Sequence, residues 1–309
     1  MNAPVVRHLF LLLAAAMVIP GSARAADRGM QFIGASRATP ADIDVASRLY
    51  RAAGGRTQIS LLPFEFNPQA PFTNATRFVQ QTLPGLSGSL TVTLYVGWYP
   101  HDAQGLREQA AFWTAWQDSS PSPAQRALRN GYLDRLRLVD GWIVTMNQWA
   151  RANGIANRLD FVVVPVLEDT CPSSRRAGYE RLVDSTRSVQ RADGVTRTTL
   201  RRSSLNENVF RIDDVALELH GRWEDVRGSL RSGDVWSNDG TDYSERAFLA
   251  AENAALDRGV TVLVWRDAYN GLPKGTGYER NWARRTVDPF TGSGAAAEVH
   301  VLSKVLSQR

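Results

Sequence analysis

The chain has one cysteine, Cys171, in 309 residues. No internal disulfide can form even in an oxidising compartment, so stability must come from a packed core. Cys171 follows an apolar stretch and reads as a packing thiol rather than a reactive one. Histidine is also scarce, at four residues, of which His101, His220 and His300 lie beyond position 25. There is no H-E-x-x-H or paired-histidine motif, which argues against zinc, and no metal or cofactor is expected. Of 36 basic residues only Lys274 and Lys304 are lysine, a bias that reflects genome composition rather than function. The formal charge is +5, and +3 without Arg7 and Arg24, too small to argue for a nucleic-acid partner. No apolar run reaches the roughly 20 residues that cross a bilayer, so no membrane span is expected. Internal repeats and linkers to a second domain are missing as well.

What is there begins with a leader. Arg7-His8 precedes an uncharged apolar run over 9–19, then Pro20-Gly21 and Ala23-Arg24-Ala25. A short positive region, an apolar stretch and an A-x-A site are the parts of a secretory signal. No lipobox cysteine follows. Residues 1–25 are therefore expected to be removed, leaving 26–309 as one domain in the periplasm or secreted medium. Its 284 residues suit one large α/β unit.

Along 26–309, strand-like and helix-like patterns alternate. Strands are expected over 31–34, 58–66, 90–98 and 159–167, the last nearly all apolar as in a strand covered on both faces. Weaker candidates follow at 196–201, 215–220 and 234–237, and a clear one at 260–265. Thr39-Pro40-Ala41-Asp42 opens a helix whose apolar face is Ile43, Ala46, Tyr50 and Ala53. A short helix over 75–83 follows the second strand. A longer helical region over 106–154 is broken at Ser119-Ser120-Pro121-Ser122-Pro123. Its second half places Leu128, Tyr132, Leu136, Val139, Ile143, Met146 and Ala150 on one stripe. Helices are also read over 175–190, from Asp242-Tyr243-Ser244-Glu245 to Asp257, and over 295–306. Eight strands separated mostly by helices give an α/β fold, a (β/α)8 TIM-like barrel with an extended helical insertion between strands three and four. The alternative is an open doubly wound sheet, but no glycine-rich phosphate loop follows the first strand.

A barrel of this kind carries its site at the C-terminal ends of the strands. Those ends offer Glu65 and Asn67; Trp98, Tyr99, His101 and Asp102; Glu168, Asp169 and Cys171; Arg201, Arg202 and Asn206; Glu218, His220 and Trp223; Trp236, Asn238, Asp239 and Asp242; and Trp265, Arg266, Asp267, Tyr269 and Asn270. Paired carboxylates can act as acid and nucleophile on an acetal, and tryptophan and tyrosine faces can stack on sugar rings. Solvated loops are polar in any case, and the tryptophans can equally be core.

Val166-Leu167-Glu168 and Val264-Trp265 resemble the strand ends of the retaining, clan-A glycoside hydrolases, themselves (β/α)8 barrels. The resemblance implies Glu168 as acid/base after strand four, a nucleophile after strand seven and Trp265 as a sugar floor. Trp236-Ser237-Asn238-Asp239 matches the nucleophile position in part, with Asp239 where the clan has glutamate. Leu167 stands where the clan has asparagine. The catalytic candidates are thus Glu168 and Asp239. Trp98, Asp102, Arg201, His220, Trp223, Trp236, Asn238, Trp265, Asp267 and Tyr269 are candidates for holding a polysaccharide or oligosaccharide.

In a retaining enzyme the two carboxyl groups lie about 5–5.5 Å apart, and a wider gap admits a water and inverts the sugar. Aspartate is one methylene shorter than glutamate, so Asp239 needs its strand to advance. His220 is placed to orient or tune the nucleophile. The chitinase-type motif fails because Val166 and Val164 stand where its acids belong. Phosphodiesterase barrels need a histidine and acids near the first strand, where this chain has Gly34-Ala35-Ser36. A Cys171–His220 pair is a weaker alternative. So are a non-catalytic glycan-binding barrel and a different extracytoplasmic hydrolase. Lys274, Arg280, Arg284 and Arg285 in one loop favour an acidic polymer.

Overall fold

The computed structural model describes residues 28–33, 44, 47, 51, 57–61, 72–97, 103–166, 175–190, 194–195, 197–203, 215–238 and 243–267. Eight strands run in chain order: β1 Arg28–Ile33, β2 Thr57–Leu61, β3 Leu90–Gly97, β4 Leu159–Val166, β5 Arg197–Ser203, β6 Ala216–His220, β7 Val235–Asn238 and β8 Thr261–Asp267. Each pairs in parallel with the next. β8 returns to β1 from Arg28↔Val262 to Ile33↔Asp267, closing the barrel. The closed ring excludes the open doubly wound sheet.

The insertion between β3 and β4 is two helices, α2 Ala103–Gln117 and α3 Pro123–Ala152. The shorter α1, Thr73–Thr82, precedes β3. Ser122 caps α3 in a full capping box: its Oγ accepts from the Gln125 N–H, and the Gln125 side chain accepts from the Ser122 N–H. This explains why the serine–proline run ends one helix and starts the next. From Tyr132 to Ala150 the expected α3 stripe is buried, but Leu128 is exposed. It sits in the second turn, short of the part of α3 that packs on the barrel.

Arg129 of α3 donates to the Ala115 carbonyl at 2.8 Å through Nε, and also to the Asp118 carbonyl. Arg181 of α4, Arg176–Val189, donates to the Trp116 carbonyl at 2.7 Å and to that of Gln117. Two guanidiniums thus satisfy the carbonyls that the end of α2 leaves open, and favour its negative dipole end. After β6 come the one-turn α5, Trp223–Val226, and α6, Glu245–Asp257. Ser244 caps α6 by accepting from the Ala247 N–H, and Gly259 at φ +75° ends it. The expected helix over 295–306, the Thr39-Pro40 helix start and that helix's apolar face (Ile43, Ala46, Tyr50 and Ala53) lie outside the described residues; Asp44, Ser47 and Arg51 there are helical.

Two outer cores lie between strands and helices. One gathers Ile59, Val92, Leu94, Phe161 and Val163 with α1 to α4. The other gathers Leu217, Leu219, Trp236 and Val262 with α5 and α6. Since side chains alternate along a strand, the positions between these face the lumen. There Tyr95, Val162 and Val164 form a small apolar cluster against Ala216 and Val235. The same lumen buries Gln58, Ser60, Thr91, Thr93, Glu218 and Ser237. Gln58 donates to the Thr93 hydroxyl across neighbouring strands.

Candidate active site

Parallel pairing brings all eight strand C-termini to one end of the ring. β6 reaches it with Leu217-Glu218-Leu219-His220. Leu217 and Leu219 belong to the outer core, so Glu218 and His220 take the lumen side. Glu218 is completely buried, and its Oε1 lies 3.3 Å from Nε2 of His220, whose side chain is 16% exposed. The carboxylate thus sits behind the imidazole, with the imidazole toward the mouth. Across the ladder Glu218 is in register with Arg202 of β5 and Val235 of β7, and His220 with Ser237 of β7.

The turn after His220 is held from β7. Both the Trp236 indole N–H and the Asn238 amide donate to the Gly221 carbonyl, at 2.9 and 2.7 Å. Gly221 has φ 114°, a conformation that glycine adopts without strain. Beyond it, the Trp223 N–H donates to the Tyr243 hydroxyl at 2.6 Å, and that hydroxyl donates to Glu224 at 3.0 Å. Burial first, with the Glu224 carboxylate adding to it, pushes the Tyr243 phenol up to about 12. Burial opposes ionisation of Glu224, but the Glu224 backbone N–H, the Tyr243 hydroxyl and Arg222 outweigh it and hold its carboxyl below the ordinary value.

These contacts correct three of the sequence expectations. Trp223 and Trp236 are not sugar platforms: they are 4% and 0% exposed and pack on each other with ring centroids 5.5 Å apart. Trp236 alternates with the lumen positions Val235 and Ser237 and so faces the helices, while the Trp223 ring joins the same core from α5. Asn238 shares the outer side of β7 with Trp236 and spends its amide on the turn, not on the mouth.

Of the other candidates, Arg201 lies within β5 in register with Leu217, so it is Arg202 that is aligned with Glu218. Trp265 and Asp267 lie within β8, which runs two residues further than expected, in register with Gln31 and Ile33 of β1. Trp98, Asp102, Glu168, Asp239 and Tyr269 lie outside the described residues. By chain position Glu168 follows the last residue of β4 by two and Asp239 follows that of β7 by one. Glu218 stands among the strand-end acids in the sequence but its importance does not. The signal was the Leu-Glu-Leu alternation, which puts a carboxylate on the face opposite two core leucines.

Among the described residues no group of three or more His, Cys, Asp or Glu side chains could hold a metal ion. No helix there is long and apolar enough to cross a membrane. An open cleft of about 400 Å³, lined by Asp44, Ser47, Arg51 and Gln81, belongs to the helix layer and not to the strand ends.

No protein-family model matches the chain, and no curated protein matches it by sequence. Solved structures similar to it include a broad-specificity endoglucanase of glycoside hydrolase subfamily 5-4 from an uncultured bacterium, at 11% identity and TM-score 0.44 over 92% of this chain and 94% of that one. A glycoside hydrolase family 5 enzyme of Prevotella bryantii, in complex with a xyloglucan tetradecasaccharide, gives 9% identity and TM-score 0.48 over 90% and 95%. A sialic acid aldolase of Ruminococcus gnavus gives 7% and 0.37 over 91% and 78%. The barrel assignment rests on the strand order and closure of the chain itself, and the activities belong to those proteins.

Proposed function

We propose that the chain is a glycoside hydrolase-like protein that acts outside the cytoplasm, cleaving a polysaccharide or oligosaccharide with a pair of carboxylates at the barrel mouth. Glu168 is the acid and Asp239 its partner, with Trp98, Asp102, Trp265, Asp267 and Tyr269 lining the sugar site. The observation that supports this is the position of the two acids on a closed parallel ring. In chain order Glu168 comes two residues after β4 and Asp239 one residue after β7, strands that lie three apart one way round the ring and five the other. Strand C-termini are where barrels of this class assemble their chemistry. The acid protonates the leaving oxygen while the ionised partner attacks the anomeric carbon, or activates a water to do so.

Glu168→Gln is expected to abolish cleavage of natural glycosides while partly sparing substrates with good leaving groups, which need little protonation. Asp239→Asn is expected to abolish both. Full activity of Glu168→Gln on a natural polysaccharide, in a screen of purified mature protein, removes the reading. A different extracytoplasmic hydrolase is the second reading, favoured by Ser237 standing in register with His220. Ser237 is fully buried, which counts against it as a nucleophile. Stoichiometric labelling of Ser237 by a fluorophosphonate is the outcome that establishes this second reading over the first.

A further inference from the structure

We propose that the cleft between α1 and the helical stretch carrying Asp44, Ser47 and Arg51 binds a small oxyanion, a carboxylate or phosphate group, through the terminal nitrogens of Arg51 and the side-chain amide of Gln81. The site goes beyond the glycosidic reading and does not rest on it.

Asp44, Ser47 and Arg51 are spaced i, i+3 and i+7, so they share one face of their helix. That face meets Arg77, Gln81 and Thr82 of α1. The cleft left between them has a volume of about 400 Å³, within the range of small-molecule sites. Its lining residues, Asp44, Ser47, Arg51 and Gln81, are all polar, so an apolar ligand gains little there. Charge decides which polar ligand fits. Asp44 is the acid of the cleft, and its carboxylate is held by Arg77, whose Nη2 donates to both oxygens, at 2.9 and 3.0 Å. That pair sums to zero, and Arg51 adds one positive charge that no described acid answers.

The donors are aimed by their neighbours. Ser47 is 1% exposed; its Oγ accepts from the Thr82 hydroxyl at 2.9 Å and turns its own proton to Gln81 Oε1, 3.5 Å away. An amide whose oxygen faces Ser47 has its two N–H donors left for the cleft. Arg51 is set by backbone. Its Nε donates to the Ser47 carbonyl at 3.2 Å, and its stem crosses Gly85, in the single turn Leu83–Gly85 after α1. The crossing is so close that a Cβ at 85 would overlap Arg51 Cδ. An arginine that only caps the end of a helix needs no glycine under its stem.

These anchors leave both Nη groups of Arg51, and Nε2 of Gln81, without a partner among the described residues. Unanswered donors with one net positive charge match an oxyanion, whose oxygens accept. A planar guanidinium can pair two oxygens of one carboxylate or phosphate at once. Gly85 precedes β3, which starts at Leu90, so the Arg51 end of the cleft lies where strands begin. A ligand there is therefore distinct from one held at the strand C-termini.

The test titrates inorganic phosphate and, in a separate series, acetate into the purified exported protein, against chloride at constant ionic strength. Arginine Nε–Hε signals are followed on labelled protein, and that of Arg51 is identified by its loss in Arg51→Met, which keeps a stem over Gly85. The expected result is a saturable shift of the Arg51 signal with phosphate, acetate or both, and the series that saturates names the group. Gln81→Glu, which sets a carboxylate into the cleft, is expected to weaken binding by about tenfold or more. Gly85→Ala has no polar group to lose and is expected to weaken it by displacing the Arg51 stem. No saturable shift with either anion overturns the proposal without any variant having to fold. Equal shifts of many arginine signals mean an adventitious ion only, and overturn it too. So does undiminished binding, read by calorimetry, in a folded Arg51→Met. No glycan is cleaved in the measurement, so its failure leaves the Glu168–Asp239 reading standing, and the kinetic failure of that reading leaves this one.

Discussion

Asp140 on α3 and Arg197 at the start of β5 form an ion pair of 2.6 Å in which each side chain is 2% exposed. Nothing in the sequence marks them as partners, being one of four acids and bases between positions 134 and 140 and one of several arginines after 190. Only the packing of the insertion on the barrel brings them together. Removing one partner strands the other charge in a dry interface, so Asp140→Ala or Arg197→Ala is expected to cost about 3–5 kcal/mol. Replacing both by Leu and Met removes the desolvation as well, and is expected to restore most of that loss. Urea midpoints of the three variants decide it, and additive losses in the double variant refute the coupling. Tyr243 gives the second residue-scale prediction. Its folded value is raised to about 12 from 10.0, so the folded chain holds the phenol proton over a range where the unfolded chain releases it. That contribution is complete below pH ~10 and is lost as pH rises through about 12. Glu224 has the opposite sign: its lowered carboxyl stabilises above the ordinary glutamate value, and the contribution is lost as pH falls through the folded value. Tyr243→Phe is expected to flatten the alkaline fall relative to wild type and to shrink the acid contribution of Glu224. Denaturation midpoints measured against pH in both proteins show it; identical curves rule out the linkage.

At the scale of elements, the helices that carry their own punctuation were readable. The serine–proline run became the capping box of α3, and Ser244 with Gly259 bounded α6. The clear apolar runs of β3, β4 and β8 stand within two residues of where they were expected. Less legible were the short strands β5 to β7, because four to seven residues carry little periodicity and their lumen positions mix apolar Ala216 and Val235 with polar Glu218 and Ser237. The one-turn α5 was missed because its start is fixed by a distant side chain, Tyr243, instead of a local cap. A similar long-range effect decides what a glycine does. Gly178 lies in the first turn of α4 against the end of α2, where a Cβ would meet Gln117 N at 3.1 Å and Gln117 Cα at 3.2 Å. Both are backbone atoms held by the Arg181 contacts, so they have little room to give. Gly131 in α3 has nothing within 4 Å of the same added atom. The identical change should therefore have opposite signs: Gly178→Ala is expected to destabilise by about 1–3 kcal/mol through overpacking. Gly131→Ala is expected to stabilise by roughly 0.5–1 kcal/mol through helix propensity. Two thermal melts with wild type test the pair, and stabilisation by Gly178→Ala refutes the close helix contact.

At the scale of the whole molecule, the alternation of strand and helix with a count of eight favoured the barrel over an open sheet, and the β8–β1 pairing closes it. The site was legible only as a location. Sequence marks which residues end a strand, but the side of the strand depends on a two-residue period that a one-residue error inverts. This is why Trp236 and Asn238 were assigned to the mouth and lie on the outer side, and why Glu218 was passed over. Closure also bears on the proposed removal of residues 1–25. β1 begins at Arg28, with only Ala26 and Asp27 between it and the proposed cleavage after Ala25, and its six residues all pair with β8. Removal of 1–25 therefore leaves the ring intact with almost no slack, whereas cutting a few residues further leaves β2 and β8 with open edges at one seam. A chain starting at Ala26 is expected to fold with the melting temperature of the exported protein. A chain starting at residue 34 lacks every β1 pair and is expected to lose cooperative unfolding and expose strand edges that aggregate. Expression of both forms without a leader, followed by calorimetry and sedimentation, separates the outcomes. N-terminal sequencing of protein exported by the native host should then return Ala26. A start beyond Ile33, or a cooperative fold without β1, breaks the link between processing and barrel closure.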